Sequence, residues 1–217
     1  MKPEELAQNL LEKVRNEDSA QNELKKIEDI GFKTLHDSVK DQDSRKAFFL
    51  NYYSAEAQRL NKKHPILHKL KLLYILPFLK IAGERISLNT IRNGVLRSSK
   101  RKINLRNRRF VRIMHLENAD PRIHFALNCG SESCPPIRFY TEEKIDNQLD
   151  TATEVYLNQE VNIENNKVFI PRMFKWFGSD FGNIEEFISK YVDLPENPDF
   201  EYKSFDWSLN THNFVEK

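Results

Sequence analysis

The amino-acid sequence predicts a helix-rich α+β fold with a small, mostly antiparallel sheet. Several segments, such as residues 141–159, carry apolar residues at the spacing of one helix face. Two alternating segments within residues 160–171 flank Asn165 and Asn166, a pair typical of a β-hairpin turn. The 217 residues contain no internal repeat and no dividing linker, so a single domain over residues 1–217 is expected.

The N-terminal part of the chain is predicted to be helical. A first helix is expected over residues 3–16 and a shorter one over residues 18–29. Residues 44–61 predict the strongest helix, a central one with aromatic residues on its buried face. Ser44 or Asp43 is expected to cap this helix, because a short polar side chain accepts hydrogen bonds from the first free backbone amides.

The middle of the chain alternates between extended and helical patterns. Residues 78–88 predict a short hairpin around Gly83. Residues 87–99 predict a helix capped by Ser87. Further along, the compact apolar run at 122–128 predicts a buried strand.

The C-terminal part is predicted to hold short elements. Beyond the asparagine turn, two short helices are expected, broken at residues 178–180. Ser179 or Asp180 is expected to cap the second of them. In the strand-like tail, residues 193–217, the stretch at 200–210 alternates between apolar and polar residues like one last strand.

Composition narrows the class of protein. The N-terminus is charged and amphipathic without the apolar core of a signal peptide, and no run of about 18 apolar residues predicts a membrane span. The two cysteines are therefore expected to be reduced thiols, and the expected compartment is the cytoplasm.

Residues 97–112 hold eight Lys or Arg and no acid, a pattern shared by phosphate-binding stripes, membrane-surface patches and solvated loops. The solvated loop is favoured, because the stretch has no nucleic-acid-binding signature.

Both cysteines lie in one short segment, DPRIHFALNCGSESCPP, residues 120–136. Four interpretations of this segment stay open. His124, Cys129 and Cys134 offer three ligands to a zinc ion, or the two thiols form a redox pair, although four residues separate them rather than the usual two. Alternatively, one thiol is a nucleophile activated by a histidine. The fourth interpretation is a structural turn with a buried histidine and two small apolar cysteines.

The sequence resembles the domain of unknown function 547 family. The resemblance is carried by AFFLNYYSA at 47–55, GERISLNTIRNGVLR at 83–97, RIHFALNCGSESCPP at 122–136 and VFIPRMFKWFGSDFG at 168–182. It covers a core of about residues 45–192, with N-terminal helices at 1–44 and the strand-like tail outside it. The stretch that contains the two thiols is the longest and most unusual of these motifs.

This resemblance implies a remote relationship to papain-like and transglutaminase-like thiol enzymes. Those enzymes carry the catalytic thiol at the start of a central helix, whereas the central helix here carries Asn51 and no cysteine. The implied function is a thiol-type hydrolase or acyltransferase acting on amide bonds. The alternative is a non-catalytic protein-interaction domain on a degenerate papain-like fold.

The resemblance also implies roles for individual residues. Cys134 or Cys129 is the expected nucleophile, and His124 the expected base. Asn51 is expected to donate to an oxyanion or to orient the histidine, and Asp180 to be the third member of the catalytic group. No cofactor and no metal are expected, and the expected partner is a peptide or a protein, not a nucleic acid.

Overall fold

The structure is a computed structural model that describes residues 1–98 and 107–215. Its α-helices are α1 (Pro3–Arg15), α2 (Gln21–Asp29), α3 (Phe32–Ser38), α4 (Gln42–Lys63), α5 (Pro65–Lys69), α6 (Arg108–Met114), α7 (Ile145–Glu160), α8 (Met173–Phe181) and α9 (Ile184–Ile188). Its strands are β1 (Leu79–Ile81), β2 (Glu84–Ile86), β3 (Asn162–Glu164), β4 (Lys167–Ile170) and β5 (Asp199–Tyr202). The fold is thus a helix-rich α+β fold, as predicted. Within the described ranges, no helix is long and apolar enough to cross a membrane.

Helix α4 is the centre of the fold. Its aromatic residues, including Phe48 and Tyr52, are fully buried, and α1 packs along it. The helix begins two residues earlier than expected, and its cap is Asp41, whose carboxylate accepts from the backbone amides of Asp43 and Ser44. The predicted caps Ser44 and Asp43 are therefore wrong, because both lie within the first turn of the helix.

The strands form two small sheets. β1 and β2 pair as the antiparallel hairpin expected around Gly83, which takes a φ of 76°. β3 and β4 form the second hairpin, and Asn165 and Asn166 at its turn have φ values of 49° and 70°. β5 then pairs with β4 in parallel, so this second sheet is mixed.

Two segments of the middle region differ from their sequence patterns. Residues 122–128 do not form a strand; a 3₁₀ helix spans Pro121–Phe125 instead. Asp120 accepts a hydrogen bond from the backbone amide of Arg122 at 2.9 Å, and proline fits the first helical position. These local signals favour a helical turn over the strand that the apolar run predicts.

The segment Thr90–Leu96 is π-helical rather than α-helical. Ser87 Oγ accepts from the backbone amide of Thr90 at its start, which is the capping role predicted for Ser87. Residues 99–106, which hold half of the basic stretch, lie outside the described residues.

The break between α8 and α9 also lies later than expected. α8 continues through residues 178–180 after a bend at Phe177, and the chain turns at Gly182, where φ is 65°. Asn183 caps α9 by accepting from the backbone amide of Glu186 at 3.2 Å. The predicted capping roles of Ser179 and Asp180 are therefore wrong, and the Asp180 carboxylate contacts other side chains.

The apolar residues that the structure describes form two buried clusters. The larger one surrounds α4, and the smaller one gathers aromatic residues such as Phe125, Phe174 and Phe187 against β4. The 3₁₀ helix and the residues after it contribute to both clusters, because Ile123 belongs to the first and Phe125 to the second. The segment with both thiols therefore begins where the two clusters meet.

Candidate functional site

The thiol loop, residues 128–136, is fixed by polar side chains of α4 and of the 3₁₀ turn at Leu72–Tyr74. Asn61 Nδ2 and the Tyr74 hydroxyl both donate to the carbonyl of Cys129, each at 2.8 Å. Gln58 Nε2 donates to Asn128 Oδ1 at 2.9 Å, and that same oxygen accepts from the backbone amide of Gly130. The start of the loop thus has its backbone groups satisfied by buried partners, as a rigid site requires.

Gly130 permits the tight turn between the two cysteines. Its φ of 85° lies in the left-handed region, where a side chain is strained. A Cβ atom there would lie 2.1 Å from Asn61 Nδ2, which is far inside contact distance. Glycine is therefore required by both the backbone conformation and the approach of Asn61.

The two thiols contact one another. Cys129 Sγ lies 2.6 Å from Cys134 Sγ, and the backbone amide of Cys129 donates to Cys134 Sγ at 3.1 Å. Ser131 Oγ lies 3.5 Å from Cys129 Sγ. Cys129 is partly exposed, whereas Cys134 is buried. Both are free thiols, so the pair forms a hydrogen-bonded dithiol with one accessible member.

The two thiols differ in acidity. The pKa of Cys129 is lowered to about 6, and the hydrogen bond from Cys134 is the largest cause. Ser131 and the positive charge of Arg92 act in the same direction, and burial opposes them. Burial, together with the negative charge of its neighbour, raises the pKa of Cys134 well above its ordinary value. At neutral pH, Cys129 is therefore the thiolate and Cys134 the thiol that donates to it.

His124 and Asp180 form the second part of the site. His124 Nε2 lies 2.8 Å from Asp180 Oδ2, and Arg97 Nη2 donates to the other carboxylate oxygen at 2.9 Å. Burial opposes ionisation of Asp180, but the hydrogen bonds from His124 and Arg97 hold its pKa well below the usual value. Burial lowers the pKa of His124, which is therefore neutral at pH 7. Since the ionised carboxylate accepts from Nε2–H, Nδ1 is the unprotonated nitrogen of the ring.

Aromatic rings hold this histidine in place. The ring of Phe177 stacks on the His124 ring with centroids 4.4 Å apart, and the guanidinium of Arg97 lies 4.5 Å from the Phe177 centroid. Phe181 packs on the imidazole at 5.2 Å. The bend of α8 at Phe177 thus allows one helix to supply both the carboxylate and the rings around His124.

Arg92 connects the two halves of the site electrostatically. It projects from the π-helical segment, and its charge lowers the pKa of both Cys129 and His124. Its guanidinium lies 5.5 Å from the Phe177 ring centroid, and its buried Nε has no hydrogen-bond partner in the part of the chain that the structure describes. Sequence reasoning missed this residue although it lies within the stretch at 83–97, because the sequence does not show which distant side chains an arginine approaches.

Asn51 lies apart from the thiols. Its Nδ2 donates to the carbonyl of Tyr140 at 2.8 Å, and its Oδ1 accepts from the amide of the same residue at 3.0 Å. Both ends of the buried side chain are thus occupied by the backbone of one residue. Among the predicted site residues, the structure pairs Cys129 with Cys134, and it pairs His124 with Asp180. Asn51 lies on α4 and contacts the segment that leads to α7.

The arrangement offers no cluster of metal ligands. Among residues 1–98 and 107–215, no group of three or more His, Cys, Asp and Glu side chains is close enough to hold a metal ion. The imidazole of His124 is hydrogen-bonded to Asp180 and not to either sulfur. The site therefore contains a dithiol, a neutral histidine oriented by a carboxylate, and an arginine whose positive charge acts on both.

Comparison with known proteins assigns a family. The model of a family described as "Protein of unknown function, DUF547" matches residues 37–157, and the chain belongs to this family. The matched residues contain the thiol loop, His124 and Asn51, whereas Asp180 and the rest of the stretch at 168–182 lie beyond them. No curated protein and no solved structure matched the chain.

Proposed function

We propose that the chain is a thiol enzyme in which Cys129 is the nucleophile and Cys134 the resolving thiol, and that it exchanges disulfide bonds with polypeptides. The observation that carries this proposal is the 2.6 Å contact between the two sulfur atoms. Of the interpretations that the sequence leaves open, dithiol chemistry is the one whose required contact is already made. The expected compartment is the cytoplasm, where free dithiols stay reduced.

The difference between the two thiols supports an ordered reaction. Cys129 is partly exposed and has a pKa of about 6, so it attacks first as a thiolate. Cys134 is buried, and its raised pKa keeps it protonated until the first step is complete. A low-pKa attacking thiol beside a buried second thiol is the arrangement that dithiol exchange requires.

The reaction proceeds in two balanced steps. The Cys129 thiolate attacks one sulfur of a substrate disulfide, the substrate S–S bond breaks, and the departing substrate thiolate takes a proton from water. Cys134 then loses its proton and attacks Cys129 Sγ, which forms the Cys129–Cys134 disulfide and releases the second substrate thiol. Two molecules of a low-molecular-weight thiol then reduce the enzyme disulfide and are themselves oxidised to one disulfide.

A second candidate is acyl transfer on amide bonds, as in a thiol hydrolase or acyltransferase. The observation that favours it is the 2.8 Å contact of His124 with Asp180, because an oriented neutral imidazole is the base that such chemistry uses. In this alternative, His124 Nδ1 takes the proton of Cys129, and the thiolate attacks the carbonyl carbon of the amide. The C–N bond breaks as the imidazolium returns the proton to the departing amine, and water or a second amine then takes the acyl group from Cys129.

One titration separates the two candidates. The rate at which iodoacetamide alkylates Cys129 is measured from about pH 4 to about pH 9 by peptide mass, which gives the apparent pKa of the thiol. Three chains are compared: the unmodified protein, Cys134→Ala and His124→Gln. Cys134→Ser is the matched control, since serine keeps a hydroxyl donor beside Cys129 but cannot form a disulfide.

The dithiol proposal predicts an apparent pKa of about 6 in the unmodified protein. In Cys134→Ala it rises towards about 8.5, the value of a free thiol, and in His124→Gln it stays near that of the unmodified protein. Acyl transfer instead predicts that the apparent pKa of Cys129 rises in His124→Gln and stays near that of the unmodified protein in Cys134→Ala. Two thiols that react only after unfolding would contradict both and would support a non-catalytic interaction domain.

A further inference from the structure

The last residues of the described chain lie along the thiol loop as an extended peptide. This tail segment, residues 205–215, follows β5 and pairs with the loop through main-chain hydrogen bonds. The bonds run from Asn210 N to Gly130 O at 2.8 Å, from Glu132 N to Ser208 O at 2.8 Å and from Ile137 N to Asn213 O at 2.7 Å. The loop and the tail segment thus pair through isolated β-bridges, antiparallel between Ser131 and Leu209 and parallel between Ile137 and Phe214, so the loop offers backbone groups to an extended peptide.

Side chains secure the tail segment on both sides of the dithiol. Asn213 Nδ2 donates to the carbonyl of Cys134 at 3.0 Å. At the other end, His68 Nε2 lies 3.1 Å from the carbonyl oxygen of Trp207, and the ammonium of Lys71 lies 3.8 Å from the centroid of its ring. The indole of Trp176 packs on Trp207 with centroids 5.6 Å apart. The tail segment therefore passes directly over the residues that separate the two cysteines.

Several side chains of the tail segment are left exposed. Asp206 and Ser208 are exposed, and Leu209 retains 42% of its surface. Main-chain hydrogen bonds to an open edge fit any extended polypeptide, and one aromatic side chain beside a cation supplies the specificity. Because the aromatic side chains of the segment, Phe205, Trp207 and Phe214, are only partly buried, it is expected to detach from the loop without unfolding of the domain.

We propose that residues 130–137 are the binding edge for an extended polypeptide substrate with an aromatic residue in the position of Trp207, and that the tail segment occupies this edge as an internal competitor. The inference rests on the proposed thiol chemistry of Cys129. It adds the substrate class, an extended polypeptide, and a means of regulation in which the tail segment blocks substrate binding. Release of the tail segment exposes both the binding edge and the reactive thiol.

The test measures how fast Cys129 is alkylated in the full chain and in variants that loosen the tail segment. Trp207→Ala removes the aromatic anchor. Lys71→Asn removes the cation that contacts the Trp207 ring and leaves the tail sequence unchanged. Asparagine is chosen because it tolerates the positive φ of 58° at that position. Tyr202→Ala is the matched control, since Tyr202 is an exposed aromatic residue of β5 that does not touch the loop.

Both anchor variants are expected to react about fivefold faster than the unmodified chain, the size expected for one lost aromatic contact. A synthetic peptide of residues 203–215 is expected to slow the reaction again, whereas a scrambled peptide is not. Equal rates in all chains, or the same acceleration in Tyr202→Ala, would overturn the inference. If Trp207→Ala does not fold, Lys71→Asn alone decides.

The same data distinguish this inference from the proposed function. The apparent pKa of Cys129 reports thiol activation, whereas the limiting rate at high pH reports access to the thiol. An ordinary pKa in every chain would contradict the proposed function. A low pKa with an unchanged limiting rate would contradict only the role of the tail segment.

Discussion

Asn61 approaches Gly130 so closely that no side chain fits between them: a Cβ atom on Gly130 would lie 2.1 Å from Asn61 Nδ2. The same nitrogen donates to the carbonyl of Cys129. The residue that prevents substitution of the glycine therefore also fixes the backbone of the reactive cysteine. The geometry of the dithiol depends on this contact between α4 and the thiol loop.

Gly130→Ala is expected to destabilise the fold by about 3 kcal/mol, because it adds a clash to the strain of a positive φ. In an Asn61→Ala background, only the backbone strain of about 1 kcal/mol remains. Urea unfolding of the two single variants and the double variant measures this coupling. Strictly additive losses would contradict the close approach.

Arg92→Gln is expected to raise the pKa of Cys129, because the positive charge that stabilises the thiolate is lost. Arg92→Lys keeps the charge and serves as the control. The ultraviolet absorbance of the thiolate, followed across pH, measures the pKa in each chain. An unchanged pKa in Arg92→Gln would show that the arginine charge does not act on Cys129.

Asn51→Asp is expected to destabilise the fold by about 3 kcal/mol, since a carboxylate oxygen would face the buried carbonyl of Tyr140. The pKa of Cys129 is expected to stay the same, because Asn51 does not contact the thiol. Asn118→Asp is the exposed control and is expected to change stability by less than about 0.5 kcal/mol. A stable Asn51→Asp protein with a slower thiol would instead assign Asn51 to the reaction.

Asp180→Asn is expected to reduce stability at neutral pH by about 2 kcal/mol, as it weakens the charged hydrogen bonds to His124 and Arg97. The pKa of Asp180 is lowered in the folded state, so its contribution is complete above the unfolded value of about 3.9 and is lost as the pH falls below it. The two chains should therefore converge in acid. Thermal melts at several pH values test this, and a constant difference would contradict the ionised pair.

Much of the fold could be predicted from periodicity and turn residues. The turn of Asn165 and Asn166 and the hairpin at Gly83 formed as expected, because positive φ values at these residue types are strong local signals. The prediction for residues 122–128 was wrong, because a compact apolar run does not separate a strand from a short helix. The cap at Asp120 and the proline after it were the signals that favoured a helix.

The site was predictable only in part. The cysteines drew attention to the thiol loop, and the proposed third member, Asp180, does contact His124. The contributions of Arg92, Tyr74 and Asn61 follow from packing between segments distant in sequence, for which a single sequence carries no signal. The tail over the thiol loop was expected only as a strand, since its partner could not be inferred from its own alternation.

The most direct test of the central claim is the redox equilibrium of the two thiols. The full chain is equilibrated with mixtures of reduced and oxidised glutathione, the thiols are blocked with acid, and the peptides are identified by mass. The proposal predicts one reversible intramolecular disulfide between Cys129 and Cys134. A mixed disulfide between glutathione and Cys129 is expected to accumulate only in the variant Cys134→Ser. Two thiols that stay reduced throughout, or a mixed disulfide that Cys134 never resolves, would contradict it.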